Sequence, residues 1–391
     1  MTPRITLKSK KDEAVRRYHP WVFSGAIKEI EGNPGEGDWV EVYSNKGSYL
    51  ASGHFQSEGS IAVRLLTWDK SKPDAAFWQE RLRDAFALRK RMGLTSHPDL
   101  NAYRLIFAEG DLLPGLIIDH YDGHLVIQCH STGMTQALGH ITEALQTLYG
   151  SSLKGIYNKS ESTMKGNAGG NTHLMGDASE TMINEYGSKF TVNWEKGQKT
   201  GFFVDQRENR RLVGELARGK RVLNTFCYTG GFSVAALHGG ATLVHSVDSS
   251  AYAIGLTEEH IRANGFNPET HQSFVSDTLD FLRETDQAYD LIILDPPAYA
   301  KHLSARHNAV QGYKRLNAAA MAILPPGGLL MTFSCSQVVG RGLFESTIMA
   351  AALTANRPVK ILARLSQPPD HPVSIYHPEG EYLKGLLLSV G

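Results

Sequence analysis

From about residue 197 onward, short β-branched or apolar runs alternate with segments long enough to be helices. The runs are RVLNTF from Arg221, TLVHSVD ending at Asp248, QSFVS, YDLIILD ending at Asp295, and GGLLMTFS ending at Ser334. Strands this apolar throughout are buried on both faces, and intervening helices supply the cover, so the rhythm predicts a doubly wound α/β domain with a parallel sheet. In such sheets ligands bind at the carboxyl ends of the strands. The residues that follow each run are therefore where function is sought.

After the first run, which contains Asn224 and Phe226, comes Cys227-Tyr228-Thr229-Gly230-Gly231. Paired glycines let a backbone approach a ligand, but the spacing is not GxGxxG, which counts against a nicotinamide or flavin enzyme. The second run ends in Asp248, 24 residues beyond Asn224, the third is followed by Asp277, and the fourth by Asp295-Pro296-Pro297-Ala298-Tyr299. A single aspartate in such a place is most often a helix N-cap. Acids in register after successive strands ask for more than capping. The succession resembles the class I S-adenosylmethionine-dependent methyltransferases. That resemblance implies that Asn224, Phe226, Tyr228, Thr229 and Gly230 wrap the methionine half of the cofactor, Asp248 binds its ribose, Asp277 its adenine amine, and Asp295 borders both cofactor and substrate.

The fifth run leads into Cys335, 40 residues after Asp295. A lone cysteine is usually a small buried hydrophobe. At the carboxyl edge of the sheet, however, it can face the same pocket as Asp295. Carbon 5 of cytosine is too weak a nucleophile to attack a sulfonium methyl. A thiolate added at carbon 6 makes it reactive, and a proton delivered to ring N3 assists. Cys335 as nucleophile and Asp295 as its acid partner are the expected catalytic pair. Cys129 and Cys227 are expected to be packing residues.

At 391 residues the chain has room for two to three domains. Residues 1–73 mix short strand-like runs (Trp39 to Tyr43, Ile61 to Trp68) with Gly and Asn turns, as in a small β-barrel. Residues 74–101 are read as a helical linker, and 102–196 as a second α+β unit with a hairpin at Asp122-Gly123, a helix, and two later strands. The polar, Gly-rich stretch from Asn167 to Glu180 is read as a loop. Residues 197–391 complete the assignment. The opening motif Arg16-Arg17-Tyr18-His19-Pro20-Trp21-Val22-Phe23-Ser24-Gly25 resembles the start of a PUA domain, an RNA-binding β-barrel. With Lys199-Thr200-Gly201-Phe202-Phe203-Val204-Asp205-Gln206-Arg207, Phe333 to Ser336, Asp370-His371-Pro372 and Pro378 to Gly385, the chain is similar over nearly its whole length to the bacterial 23S ribosomal RNA cytosine-C5 methyltransferase family. That family combines PUA, EEHEE and catalytic domains. The resemblance implies S-adenosylmethionine as cofactor and large-subunit ribosomal RNA as partner, and it adds Thr200, Gly201, Asp205 and Arg207 to the cofactor pocket. Many RNA cytosine-C5 enzymes carry a second cysteine where this chain has Ala298, so release of the product must use another group.

Lys plus Arg and Asp plus Glu number 40 each, so no whole-molecule field draws the chain to RNA. Local runs must do so: residues 1–17 with Arg16 and Arg17, residues 81–91, and the run after Tyr299 with Lys301 and Arg306. Tyr299 is placed to stack on a target base. Three odd-numbered, scattered cysteines build neither a disulfide framework nor a zinc knuckle, and no apolar segment is long enough to cross a bilayer, so a cytoplasmic protein is expected. A homodimer is compatible with this reading. His302, His307, His371 and His377 fall in expected loops with no accompanying ligand set, and no metal is expected; His371 is a candidate for lining the substrate pocket. Two alternatives stand beside cytosine-C5 methylation: transfer to a base nitrogen gripped by Asp-Pro-Pro-x-Tyr, which needs no cysteine, and an inactive RNA-binding assembly factor.

Overall fold

The computed structural model describes residues 2–163 and 170–391. The chain forms two compact units: residues 1–183, 191–204 and 369–380 make the first, and residues 184–190, 205–368 and 381–391 the second.

In the first unit, β1 (Arg4–Leu7), β2 (Trp21–Phe23), β3 (Ile27–Glu31), β4 (Trp39–Tyr43), β5 (Tyr49–Phe55) and β6 (Ile61–Thr67) form a six-stranded sheet in the order β2-β6-β5-β4-β1-β3, with the short α1 (Glu13–Arg16) beside it. Alternation in β4 sends Val40 and Val42 inward, where they meet Ile5, Leu7, Val22 and Val63. Helix α2 (Ala75–Arg91) starts on Asp74, whose carboxylate accepts the Phe77 amide at 2.9 Å, a cap worth about 1 kcal/mol. Its buried face carries Phe77, Trp78, Leu82 and Ala85.

The second sheet of this unit has five strands, β7 (Ala102–Phe107), β8 (Leu116–Tyr121), β9 (His124–Cys129), β10 (Gly155–Lys159) and β11 (Asn171–Met175), in the order β11-β10-β9-β8-β7. Helices α3 (Thr132–Gln136) and α4 (Leu138–Tyr149) lie between β9 and β10 in sequence. The Asp122-Gly123 turn takes positive φ at both residues, 47° and 85°, as the tightest hairpins require. The expected loop at Asn167 to Glu180 is corrected here: Asn171–Met175 is an edge strand, antiparallel to β10. Its polar, exposed residues gave no apolar alternation, because one neighbour is enough to hold an edge strand. Asn167 to Gly169 lie outside the described residues. A second correction concerns the basic run at 81–91. Arg89 is fully buried and paired with Asp111, and it donates to the carbonyls of Arg104 (2.8 Å) and Asp370 (2.7 Å), so it does not face RNA. A hairpin of β12 (Glu180–Glu185) and β13 (Ser188–Asn193) follows.

The second unit is built on β14 (Arg221–Thr225), β15 (Leu243–Asp248), β16 (His271–Val275), β17 (Leu291–Leu294), β18 (Gly328–Ser334), β19 (Val359–Leu365) and β20 (Lys384–Val390). Helices α5 (Arg207–Leu216), α6 (Gly231–His238), α7 (Ala251–Ala263), α8 (Thr278–Glu284), α9 (Arg306–Ile323) and α10 (Arg341–Ala355) accompany the strands. All five strands expected from the sequence are present and parallel. The sheet order β16-β15-β14-β17-β18-β20-β19 corrects the expectation of a wholly parallel sheet, because β20 runs antiparallel to both β18 and β19. Buried Leu386 and Leu388 of β20 join a core with Leu223, Ile292, Leu330 and Phe344. Strand order reverses direction at β14, between β15 and β17, which opens a crevice at their carboxyl ends.

Candidate active site at the carboxyl edge of the sheet

The crevice is floored by the loop after β14. Phe226, Tyr228 and Gly230 take φ of 53°, 47° and 76°, an unusual run for two aromatic residues. Neighbouring side chains hold it there. Asp248 accepts the Tyr228 amide at 3.0 Å, Thr257 of α7 donates to the Tyr228 carbonyl at 2.9 Å, and His260 bonds the Thr229 carbonyl at 2.7 Å. A Cβ at Gly230 would stand 2.6 Å from Thr257, so glycine is required on both conformational and steric grounds.

The acids that end the next strands are anchored to backbone. Asp248 also accepts the Ser250 amide at 2.9 Å, while exposed Asp277 caps α8 by accepting the amides of Leu279 (2.8 Å) and Asp280 (3.2 Å) through Oδ1. The ordinary capping role is thus real for Asp277, and it leaves Oδ2 outside those two bonds. Buried Asn224 donates to Ser233 at 2.8 Å; its own Oδ1 and Oδ1 of Asp205 are buried acceptors without a hydrogen-bond partner. Unsatisfied buried acceptors call for a donor. S-adenosylmethionine offers an ammonium, a ribose diol and an adenine amine, and the donors it brings fit the acceptors this edge presents.

Across the crevice the character changes. Asp295, half-buried at the end of β17, has its carboxyl pushed up to about 7 by burial and by the charge of Asp205, against a hydrogen bond from Gln206 and the charge of Arg210. Half-buried Cys335 follows β18, and burial pushes its thiol up to about 11, with Asp295 and Asp205 adding to the rise and Lys384 opposing it. The backbone on both sides of the thiol is pinned. Ser334 donates to the Tyr313 hydroxyl at 3.0 Å, Ser336 donates to the Ala300 carbonyl at 2.6 Å, and buried Lys384 donates to the Ser336 carbonyl at 2.7 Å. Burial brings the Lys384 ammonium down to about 8. Asp205 is held by the Tyr382 hydroxyl. The edge can therefore hold a proton on Asp295, a thiol on Cys335, and exchangeable protons close to both.

Tyr299 is partly exposed, with its ring 4.7 Å from that of Tyr313. Gly312 of α9 makes room for it, since a Cβ there would stand 3.0 Å from the Tyr299 ring. Lys301 and Arg306 are exposed at the start of the same segment.

Asp205, Asp295 and Cys335 are thus brought together, and Asn224, Phe226, Tyr228, Thr229, Gly230, Asp248 and Asp277 line the same strand ends. Arg207, fully buried, bonds Glu208 at 3.2 Å. Thr200 and Gly201 belong to the first unit. There the Thr200 hydroxyl donates to Asp119 at 2.6 Å and contacts the Tyr121 hydroxyl at 3.0 Å, and Gly201 takes φ of 123° against Val192. Arg16 and Arg17 are exposed on α1 and just after it, Arg16 beside Asp12 at 2.8 Å and Arg17 79% exposed. Sequence reasoning assigned no role to Lys384, Gln206 or Tyr382. Lys384 lay within a quoted motif, but its place opposite Ser334 depends on the antiparallel register of β20. A separate cavity of about 350 Å³, lined by residues including Glu185, Arg211, Arg218 and His238, contains none of the motif residues. Among the described residues no helix is long and apolar enough to cross a membrane.

Comparison with known proteins places this geometry in context. The chain matches the family model of S-adenosylmethionine-dependent methyltransferases over residues 136–388 and that of PUA-like domains over residues 5–68. It is 40% identical over 397 residues to ribosomal RNA large subunit methyltransferase I of Aeromonas salmonicida, covering 99% of each chain. It is 40% identical over 395 residues to the protein of that name from Photobacterium profundum, covering 98% of each. A solved SAM-dependent methyltransferase from Streptococcus mutans superposes with a TM-score of 0.86 at 24% identity over 100% of both chains. A methyltransferase solved in complex with SAH does so with 0.87 at 24%, again over 100% of both. At that identity the two structures establish the shared fold.

Proposed function

Because the chain belongs to the S-adenosylmethionine-dependent methyltransferase family that includes large-subunit ribosomal RNA methyltransferase I, we propose that it methylates carbon 5 of a cytosine in large-subunit ribosomal RNA, with Cys335 as the nucleophile. When bound, S-adenosylmethionine supplies an electrophilic methyl group on a sulfonium centre. The protein's part is to make the base reactive. With its thiol proton lost to solvent, the Cys335 thiolate adds to carbon 6 as neutral Asp295 gives its proton to ring N3, and the resulting enamine carries electron density to carbon 5. After methylation the carbon 5 proton leaves to a base, the carbon–sulfur bond breaks, and N3 returns its proton to Asp295.

One observation carries this reading: Cys335 and Asp295 follow adjacent strands, the Asp295 charge helps to raise the thiol, and burial with the Asp205 charge brings the carboxyl up to about 7. A carboxyl of that kind can donate at N3 where an ordinary aspartate, ionised at pH 7, cannot. Transfer to an exocyclic amine would leave the thiol without a task. Asp248, Asp277, Asp205 and the 226–230 loop are assigned to the cofactor, and Tyr299, Lys301, Arg306, Arg16 and Arg17 to the RNA. The test is to incubate unmodified large-subunit ribosomal RNA with enzyme and cofactor, then digest it to nucleosides for mass spectrometry and map the position by bisulfite sequencing. The expected product is 5-methylcytidine at one site. An N-methylated nucleoside, or no methylated product, would overturn the proposal.

A further inference from the structure

Away from the methyl-transfer residues, three side chains far apart in sequence converge within the first unit. His19 lies just before β2, and His377 and Glu379 flank Pro378 in the 369–380 segment. One donor atom from each lies within 4.8 Å of the other two. His19 Nε2 is 3.8 Å from Glu379 Oε1, His377 Nε2 is 3.9 Å from Glu379 Oε2, and the imidazole centroids are 5.4 Å apart.

The state of His377 makes this cluster more than a chance meeting of charges. Its side chain is 3% exposed and neither ring nitrogen has a hydrogen-bond partner. A buried imidazole with both nitrogens idle is costly, and native structures satisfy such groups. Trp21 closes one side, its ring 4.3 Å from that of His377, while its indole N–H is committed to Glu109 at 2.9 Å. The Glu379 carboxylate, at 3.9 Å, is too far for a hydrogen bond. His19 shows a complementary arrangement. Its Nδ1 accepts the Trp21 amide N–H at 3.2 Å. That bond fixes the ring and turns Nε2 toward Glu379.

We infer that His19, His377 and Glu379 form a binding site for a borderline divalent metal ion, zinc being the best match. Two neutral imidazole nitrogens and one carboxylate suit zinc, whereas magnesium and calcium favour all-oxygen sets. Tetrahedral zinc with bonds near 2.1 Å holds its ligand atoms about 3.4 Å apart. The three donor atoms, within 4.8 Å of one another, must draw together by up to about 1.4 Å for an ion to sit between them. Three protein ligands leave the fourth position to water. The ion ties the 369–380 segment to the strand region at Trp21. The other end of that segment is already held, because Asp370 accepts the Arg104 amide at 2.9 Å through its carboxylate and Arg89 at 2.7 Å through its carbonyl. The neighbouring histidine of His377 lies 358 positions earlier in the chain, a spacing that no local motif reveals.

The test uses the full-length protein, stripped with a chelator and titrated with Zn2+ against a chromophoric competitor. Because His377 is buried, the decisive variants are His19→Ala and Glu379→Gln, whose side chains in the wild type are 15% and 54% exposed. Wild type is expected to bind one Zn2+ per chain, with a thermal midpoint that rises on zinc addition. Glu379→Gln is expected to bind at least about tenfold more weakly, and His19→Ala to lose both the tight site and the thermal shift. Co2+ is expected to give a tetrahedral visible spectrum in wild type that His19→Ala lacks. No uptake by wild type, or equal zinc affinity in wild type and both variants, would overturn the proposal.

Discussion

The two halves of the sheet's carboxyl edge use acids in opposite ways. After β15 and β16 the carboxylates are tied to backbone: Asp248 holds the amides of Tyr228 and Ser250, and Asp277 caps α8. After β17 and β18, burial and the charges of neighbouring acids, Asp205 on both and Asp295 on the thiol, drive Asp295 and Cys335 toward their protonated forms. A carboxylate fixed in place by amides is suited to gripping a ligand. One poised near pH 7 can give and take a proton, so the difference separates binding from chemistry on one continuous edge.

The largest expected effect comes from removing the thiol. Cys335→Ala should lower methyl transfer, followed with labelled cofactor, by on the order of 10⁴ or more, while calorimetry finds cofactor affinity unchanged. Substantial residual transfer would erase the distinction between the halves. Next, Asp295→Asn should reduce the rate by about 10²–10⁴ and change its pH dependence. In wild type the productive form pairs neutral Asp295 with the Cys335 thiolate. Its population rises with pH up to about 7, then stays level toward 11, since each gain in thiolate is matched by a loss of neutral carboxyl. In Asp295→Asn the rise should continue past pH 7.

A change in the binding half should behave differently. Gly230→Ala forces a side chain into a left-handed position against Thr257, at about 1–2 kcal/mol, and should weaken cofactor binding about tenfold with kcat at saturating cofactor preserved. A fall in kcat instead would show that the loop takes part in the chemistry. The smallest effect belongs to Lys301→Ala, which should weaken RNA binding a few-fold and lower the slope of log affinity against log salt by about one.

Much of this division could be read from the sequence. The five runs, their order, and the acids and cysteine that follow them are local patterns, and a parallel sheet fixes which ends share a crevice. What escaped was what depends on distant pairing. Strand β20 inserts between β18 and β19, and only that register sets Lys384 opposite Ser334. Tyr382 reaches Asp205, 177 residues away, and His377 meets His19. Edge strand β11 lacked alternation because most of it is exposed. Arg89 looked like part of a solvated basic run, yet its helix position turns it inward onto Asp111. In each case the deciding partner came from elsewhere in the chain, and local composition carried no trace of it.

The central claim is that Cys335 attacks a cytosine at carbon 6 and Asp295 assists. It is tested most directly by incubating enzyme and S-adenosylmethionine with substrate RNA containing 5-fluorocytidine, where methylation leaves no proton at carbon 5 to remove. Wild type should form a denaturant-stable protein–RNA adduct, Asp295→Asn should form it slowly, and Cys335→Ala should form none. Absence of an adduct with wild type, while the same preparation methylates unmodified RNA, would contradict the covalent mechanism.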